Sequence, residues 1–460
     1  MNRMEEYEAL MARLEEVPQT ALVAHALERQ KRERTRSRRI WRPLATVAAV
    51  FCVFVGMINL SPTVSAVCRE IPFLEELVEM LTFNPSLRIA IEHDYVQMME
   101  QEQTKDGVTA RVEYLIVDQK QVNVFYTLSS EIYTALDATP DVFGADGQGL
   151  PVGISYGGIV EDQEELRQIT IDFVEEDVPD YMKLTLKLVD HGSYVKEEPL
   201  TQVGEEDLPQ HDEPEFFTEL SFDLHFDPKF TAQGKTVDLN KTVELDGQKI
   251  TVTDMEVYPT HIRINVEEDA SNTAWLTSLR FYLELEDGNR IETISNGISA
   301  TGSTDSPSMV SYRAESSYFY EAECIRLCIT SADFLDKERE EVHIDLKTLE
   351  SDPLPQGVKL WSAVERKSGM ELTFLVEETG VNHVQVLSST YYDMEGNEYH
   401  CGSWGTGMSY YDEASEEQYP GWGYETYYLE DFYEKEGIFK VHYTHFWIPD
   451  EPVIVELTAE

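Results

Sequence analysis

The sequence predicts a mainly β protein in which short cytoplasmic helices and a single transmembrane helix are followed by three β-sandwich modules in series. Three observations predict this architecture. An uncharged run of 26 residues lies near the N-terminus, and after residue 105 the apolar residues recur at every second position. One set of landmarks then occurs three times along the rest of the chain.

The charge is divided unevenly along the 460 residues, which carry 36 Lys+Arg and 87 Asp+Glu for a net charge of −51. Residues 1–42 hold ten basic and seven acidic residues, net +3, so the other 418 residues hold 26 against 80, net −54. A protein that binds nucleic acid needs clustered positive charge to neutralise phosphates. The balance therefore excludes DNA and RNA as partners.

The uncharged run, Pro43–Cys68, predicts a transmembrane helix over residues 43–67, because crossing a bilayer takes about 20 apolar residues. A cluster of eight basic residues at positions 29–42 stands just before it, and the last four are Arg36, Arg38, Arg39 and Arg42. Since Lys and Arg flank the cytoplasmic side of a span, we expect a cytoplasmic N-terminus and an extracytoplasmic C-terminal bulk. A cleaved signal peptide and a buried helix are alternatives, and the long basic segment before the run argues against both. A lipoprotein signal is a third alternative, but Cys68 lacks the usual Leu three residues before it.

The cytoplasmic segment, residues 1–42, shows helical periodicity. Its apolar stripe includes Tyr7, Leu10, Met11 and Leu14. A lone helix of about 12 residues is marginal in water, so its apolar stripe must pack against another surface. We interpret these four residues as a docking face for a cytoplasmic partner; a membrane-surface or self-packed helix is the alternative. On the other side of the span, residues 68–104 predict a helical lead-in.

The landmarks that occur three times are glycine turns and strands. The first two copies begin at Asp106-Gly107 and Asp246-Gly247, and a fainter third begins at Gly357. A second glycine follows 40, 41 and 39 residues later, and each copy ends in a predicted strand. This order predicts β-sandwich modules over residues 105–215, 216–351 and 352–460, although glycine turns also recur by chance in β proteins.

Signatures of catalysis or metal binding are absent from the sequence. It contains no Gly-rich phosphate loop, no Gly-x-Ser-x-Gly, no His-Glu-x-x-His and no Cys-x-x-Cys zinc pair. His442 and His445 are three apart on a predicted strand, where they would face opposite sides. The turn 393–398 has misplaced ligands for calcium. We therefore expect no enzyme activity, no cofactor and no metal site.

Aromatic residues are concentrated in the third module, where residues 391–447 hold 17 of the 49 in the chain. Trp404, Trp422 and Tyr424 are candidates for an external binding face that takes an envelope or glycan ligand. The alternative is that such residues fill the sandwich core and cover its loops.

Four segments carry a family resemblance: Leu60–Ala66, Ile71–Leu74, Ile91–Tyr95 and Lys105–Val108. Over residues 1–130 the chain resembles the bacterial membrane-protein family called domain of unknown function 4179. Residues 237–247 resemble an immunoglobulin-like module that often follows in such proteins, which implies that the three modules are immunoglobulin-like. Some family members are regarded as anti-sigma factors, mainly in Gram-positive bacteria. The resemblance thus implies a sigma factor as cytoplasmic partner, although residues 1–42 lack the Cys and His set of zinc-type anti-sigma domains.

The leading hypothesis is a single-pass protein of the bacterial cell membrane that regulates an envelope response, with the lipid bilayer and a sigma factor as partners. The alternative is a cell-surface binding or structural protein that has no regulatory cytoplasmic partner.

Overall fold

The computed structural model describes a set of ranges within the chain. These are residues 77, 80–81, 84–133, 135–157, 165–190, 216–228, 231, 233–295, 297–303, 305–320, 323–366, 368–378, 385–401, 403–407, 411–412 and 417–457. All lie in the second of two compact units, Phe73–Glu460. Within these ranges no helix is long and apolar enough to cross a membrane. The predicted span, residues 43–67, and the predicted cytoplasmic helices lie outside them.

The described residues are mainly β, as predicted, and a short helix, α1 (Pro85–Glu92), precedes the strands. Asn84 caps α1, because its side chain accepts a hydrogen bond from the Leu87 amide at 3.2 Å. Pro85 occupies the first turn, where its missing N–H is not needed. The first strands are β1 (Gln97–Lys105), β2 (Val108–Val117), β3 (Gln121–Ser130), β4 (Leu136–Phe143), β5 (Val152–Tyr156), β6 (Arg167–Phe173), β7 (Tyr181–Asp190) and β8 (Thr218–His225).

The middle of the chain forms a second group of strands. They are β9 (Lys235–Leu245), β10 (Gln248–Val257), β11 (Ile262–Glu268), β12 (Ala274–Leu285), β13 (Arg290–Glu292), β14 (Ala300–Gly302), β15 (Met309–Ala314) and β16 (Cys324–Asp336). Asp246 and Gly247, both at positive φ, make the tight turn between β9 and β10. Asp106 and Gly107 make the equivalent turn between β1 and β2, so both predicted glycine turns begin their sandwiches as hairpins.

The last strands follow in order. They are β17 (Glu341–Asp345), β18 (Glu350–Ser351), β19 (Val358–Arg366), β20 (Gly369–Glu377), β21 (Leu387–Tyr392), β22 (Glu398–His400), β23 (Ser403–Gly407), β24 (Tyr411–Asp412), β25 (Glu417–Gln418), β26 (Trp422–Glu430), β27 (Glu436–Val441), β28 (His445–Trp447) and β29 (Val453–Glu456).

The first sandwich packs the sheet β1-β2-β3-β6-β5 against the sheet β4-β7-β8. Alternate residues of β2, such as Val108, Ala110 and Val112, are fully buried in one core with Leu184 and Leu186 of β7. If strands β2 to β8 are lettered A to G, the first sheet reads A-B-E-D after its edge strand β1, and the second sheet reads C-F-G. This strand order is shared with the constant-type immunoglobulin sandwich.

The second and third sandwiches repeat this order with one difference. In the second, β9-β10-β11-β15-β14 faces β13-β12-β16, and in the third, β19-β20-β26-β23 faces β18-β17-β27-β21-β22. The first strand of each A–B hairpin also carries a β-bulge, where Glu113, Thr253 and Trp361 are the extra residues. In the first two sandwiches the bulge lies six residues after the turn glycine, which supports a common origin of the copies.

The difference is the source of the last strand, G. In the second sandwich β28 and β29 pair with β16 in this position, although they follow the whole third sandwich in sequence. In the third sandwich β17 takes the position beside β27, although it precedes the other strands. The third sandwich is therefore inserted between the last two strands of the second.

These pairings differ from the predicted module boundaries. Residues 218–225 were expected to open the second module, but β8 pairs with β7 and its Leu220, Phe222 and Leu224 lie in the first core. Strand β17, expected in the second module, belongs to the third, and β29, expected in the third, buries Val455 in the second core. Alternation within a short strand shows that one face is buried but not which sheet buries it.

Candidate functional site

The predicted cytoplasmic docking residues Tyr7, Leu10, Met11 and Leu14 lie outside the described residues, as do Arg36, Arg38, Arg39 and Arg42. The structure therefore bears only on the predicted external face. Two regions of the described chain bring together side chains that could bind a ligand or hold charges. One is the aromatic surface of the third sandwich, and the other is a buried polar joint between the first and second sandwiches.

The aromatic surface contains two of the three predicted residues. Trp422 and Tyr424 are two apart on β26 and half-buried on its outer face, since Tyr427 and Leu429 of the same strand point into the core. Trp404 on β23 lies opposite Tyr427, and cross-strand partners share a face. Trp404, 52 % exposed, is thus on the other side of the sheet. The structure brings Trp422 and Tyr424 together and leaves Trp404 apart.

The outer aromatics also cover part of the sheet. Leu375 lies opposite Tyr424 and is only 2 % exposed although it is outside the main core. The Lys359 ammonium lies 3.8 Å from the centre of the Trp422 ring, a cation–π distance. Covering an apolar patch is therefore one function of this surface, and the geometry alone assigns it no ligand.

The two histidines considered as a metal pair, His442 and His445, lie in different surroundings. His445 lies between Asp246 at 3.3 Å and Asp336 at 3.4 Å, and it stacks on Phe334. His442 is in a different setting, where burial lowers its pKa. Within the described ranges no group of three or more His, Cys, Asp or Glu side chains could hold a metal ion.

The polar joint was not predicted, and it is built around two carboxylates of the first sandwich. Asp172 on β6 is fully buried and accepts hydrogen bonds from Arg263 Nη2 at 2.9 Å and Arg313 Nη2 at 2.8 Å. Both arginines belong to the second sandwich, on β11 and β15. Arg263 also donates to the carbonyl of Phe173 at 3.0 Å. Charged bonds of this kind are roughly twice as strong as neutral ones.

The second carboxylate, Asp118, lies in the turn after β2 and is also fully buried. It accepts the backbone amides of Lys120 and Gln121 from its own sandwich. From the second sandwich it accepts the Thr260 amide at 3.1 Å and the Thr260 hydroxyl at 2.6 Å. Asp118 thus joins the β2–β3 turn of one sandwich to the β10–β11 loop of the other.

His261 connects the two carboxylate clusters and has no exposed surface. Its Nε2 accepts a hydrogen bond from Arg263 Nε at 3.0 Å, so Nδ1 carries the proton and donates to the Thr260 hydroxyl at 2.8 Å. Burial, together with Arg263, holds the pKa of His261 well below its usual range. The ring is therefore neutral, and two carboxylates face two guanidinium groups.

The pKa values of the two aspartates move in opposite directions. Burial opposes ionisation of Asp172, but Arg313 and Arg263 outweigh it and lower the pKa of that carboxyl to about 2. Burial raises the pKa of Asp118, and the Thr260 hydroxyl only partly offsets it. The charge pairing is consequently strongest around Asp172.

The lead-in helix docks beside this joint. Ser86 on α1 donates its amide to Glu315 Oε2 at 3.0 Å and its hydroxyl to the same oxygen, and it accepts the Ser316 amide at 2.6 Å. His93 stacks on Phe319 with ring centres 4.3 Å apart. The segment that follows the predicted span is therefore attached to the second sandwich.

A sequence signal for the joint exists but is incomplete. Asp172, Arg263 and Arg313 each stand between two apolar neighbours in a strand, a setting in which a charge that becomes buried must be paired. Their partners lie 91 and 141 residues away, and no local pattern specifies which charges meet.

Comparison with known proteins yields family matches to two parts of the chain. Residues 234–358 match a family described as "Family of unknown function (DUF5643)", a range that begins beside β9 and ends where β19 starts. A solved structure described as a conserved domain protein from Bacillus anthracis is 13 % identical and covers 56 % of this chain and 85 % of its own. Its TM-score is 0.39, too low a likeness to inform function.

Among curated proteins, none matches this chain. The remaining match confirms the family resemblance predicted from the sequence motifs for the N-terminal part of the chain. Residues 35–130, from the basic cluster to the end of β3, match the family described as "Domain of unknown function (DUF4179)".

Proposed function

We propose that the chain is a single-pass bacterial membrane regulator, in which residues 4–33 hold an extracytoplasmic-function sigma factor in the cytoplasm and the immunoglobulin-like modules sense the envelope. The proposed activity is protein binding rather than catalysis. The family match over residues 35–130 supports it, since that range contains the last four basic residues before the span, the uncharged run and the first strands. Family members of this kind are associated with anti-sigma function.

One observation carries the proposal: the segment after the predicted span is attached to the body. Ser86 and His93 contact Glu315 and Phe319, which are more than 220 residues later in the chain. A protein that only displays a surface needs no such contact, and a flexible linker would serve it. A regulator needs its external modules connected to its span, because coupling travels through packed elements.

Capture of the full-length chain tests the proposal. The chain, tagged at its C-terminus, is isolated from solubilised membranes, and bound proteins are identified by mass spectrometry. We expect a sigma factor to bind the wild type and the polar-face control Glu8→Gln. The double variant Leu10→Asp/Leu14→Asp should bind at least about tenfold less, because charge on the apolar stripe removes the docking face. Absence of a sigma factor from the wild type, or equal capture by the double variant, contradicts the proposal.

The second candidate is a surface protein that binds an envelope glycan, and the paired Trp422 and Tyr424 favour it. Stacking on adjacent aromatic rings is how many proteins hold sugars and other flat apolar faces. Deleting the third sandwich would not test this function, because residues 445–457 complete the second sandwich. Trp422→Ala/Tyr424→Ala is therefore compared with Trp404→Ala, on the other face, for binding to isolated cell walls. Equal binding by both variants and the wild type argues against this candidate.

A further inference from the structure

The contact between α1 and the second sandwich has two parts. The polar part is Ser86 with Glu315 and Ser316, at the N-terminal turn of the helix. The aromatic part lies just beyond the C-terminal end, where His93 stacks on Phe319 and Tyr95 meets the same ring edge-on at 5.5 Å. Both parts touch one short segment, residues 315–319, which directly follows β15.

The polar part differs from the neighbouring joint in one respect. Asp172 has two guanidinium partners, whereas Glu315 makes no ion pair with a described Lys, Arg or His. The half-buried Glu315 carboxylate is held by two hydrogen bonds from a single serine, and both come from another part of the chain. Burial raises the pKa of Glu315, and these bonds from Ser86 only partly offset the effect.

The helix depends on being docked. It has eight residues, and a helix of that length does not persist alone in water. Its buried face is formed by Leu87, Ala90 and Ile91, which are at most 5 % exposed. Loss of the contact at residues 315–319 would remove the hydrogen bonds of Ser86 and the ring contacts of His93, which hold the two ends of the helix.

We propose that residues 84–95 form a latch on residues 315–319, which opens by local release of α1 while the sandwiches stay folded. The Ser86–Glu315 contact is its weakest element, because a single residue supplies both hydrogen bonds, one from its amide and one from its hydroxyl. Opening would free the segment that joins the predicted span to the body. The role of the latch in signalling rests on the proposed function, whereas its existence does not.

Hydrogen exchange on the full-length chain in lipid nanodiscs tests the latch. Ser86→Ala removes the hydroxyl, whereas Glu315→Gln keeps an oxygen that accepts both bonds and removes the charge. We expect the amides of residues 87–91 to exchange about tenfold faster in Ser86→Ala than in the wild type. In Glu315→Gln they should exchange no faster than in the wild type. The amides of β12 and β16 should be unchanged in both variants.

Two results would overturn the latch. One is unchanged exchange of residues 87–91 in Ser86→Ala. The other is equal acceleration of α1, β12 and β16, because the contact would then belong to the global fold. A reporter for the regulated promoter separates the two proposals: selective release of α1 without a change in reporter output leaves the latch standing and counts against the proposed function.

Discussion

The two joints between the sandwiches are built in opposite ways. The first and second sandwiches meet through side chains, chiefly Asp118, Asp172, Arg263 and Arg313. The second and third are joined through the backbone, because the third is inserted before the strands that complete the second. A side-chain joint depends on a few charged groups, so single substitutions and pH should break it. A strand joint depends on chain connectivity, so truncation should break it.

The largest effect is expected from deletion of residues 448–460. The deletion removes β29 and the buried side chains of Val455 and Leu457. Each buried aliphatic side chain stabilises by roughly 1.5–3 kcal/mol, so with the lost ladder the second sandwich should lose about 5 kcal/mol or more. Urea unfolding of the full chain measures this. Ile454→Ala on the outer face, 54 % exposed, is the matched control and should change little. A deletion variant as stable as the control would mean that β29 is dispensable.

The next effect is expected from Asp172→Asn, which breaks the side-chain joint. The substitution leaves Arg263 and Arg313 buried without a carboxylate, and such a loss costs about 3–5 kcal/mol. Calorimetry should show a lower unfolding temperature for the first and second sandwiches. The exposed pair Lys187–Asp141 supplies the control Asp141→Asn, which should have little effect. If the two variants unfold alike, the joint is not stabilised by its charges.

The sequence was sufficient to predict the β class, the repeated copies and the family resemblance over the N-terminal part. Val108, Ala110 and Val112 show the strand period, and the glycine turns at 107 and 247 require a left-handed backbone that glycine adopts without strain. Periodicity and turn chemistry are local, which is why they can be seen in a single sequence.

The two joints could not be predicted from the sequence, because they depend on pairing between residues that are far apart in the chain. A four-residue strand such as β29 carries the same alternation whichever sheet it joins. Trp404 and Trp422 look alike in the sequence, and only the register of β23 against β26 places them on opposite faces.

A smaller effect is expected from pH, and it should also fall on the side-chain joint. His261 is neutral when folded and has an ordinary pKa near 6.5 when unfolded, so acid favours the unfolded chain. Stability should therefore fall as pH drops below about 6.5, by at most ~1.4 kcal/mol per pH unit from this group. A second loss is expected from pH about 4 towards 2, where Asp172 takes up its proton in the unfolded chain but stays ionised in the folded one, in which its pKa is about 2.

The variant His261→Gln isolates the first of these losses. It cannot titrate, so its stability between pH 6.5 and 4.5 should depend less on pH than that of the wild type. Urea unfolding across this range provides the measurement. Parallel curves for the two proteins would show that His261 is not buried in its neutral form.

The pairing of β29 with β16 is the central claim, and a native cysteine tests it directly. Cys328 lies opposite Ile454, and the Leu457 amide bonds to the Ile325 carbonyl at 2.8 Å in the same register. The pair 328/454 is therefore a non-hydrogen-bonded one, with Cα atoms about 4.5 Å apart, within reach of a disulfide. Val453→Cys, opposite Ile329, is the control. Mild oxidation of full-length Ile454→Cys followed by peptide mapping should give a disulfide between the introduced cysteine and Cys328. A thiol that stays reduced, or pairs with Cys324 or Cys401, would contradict the claim that the C-terminal strand completes the second sandwich.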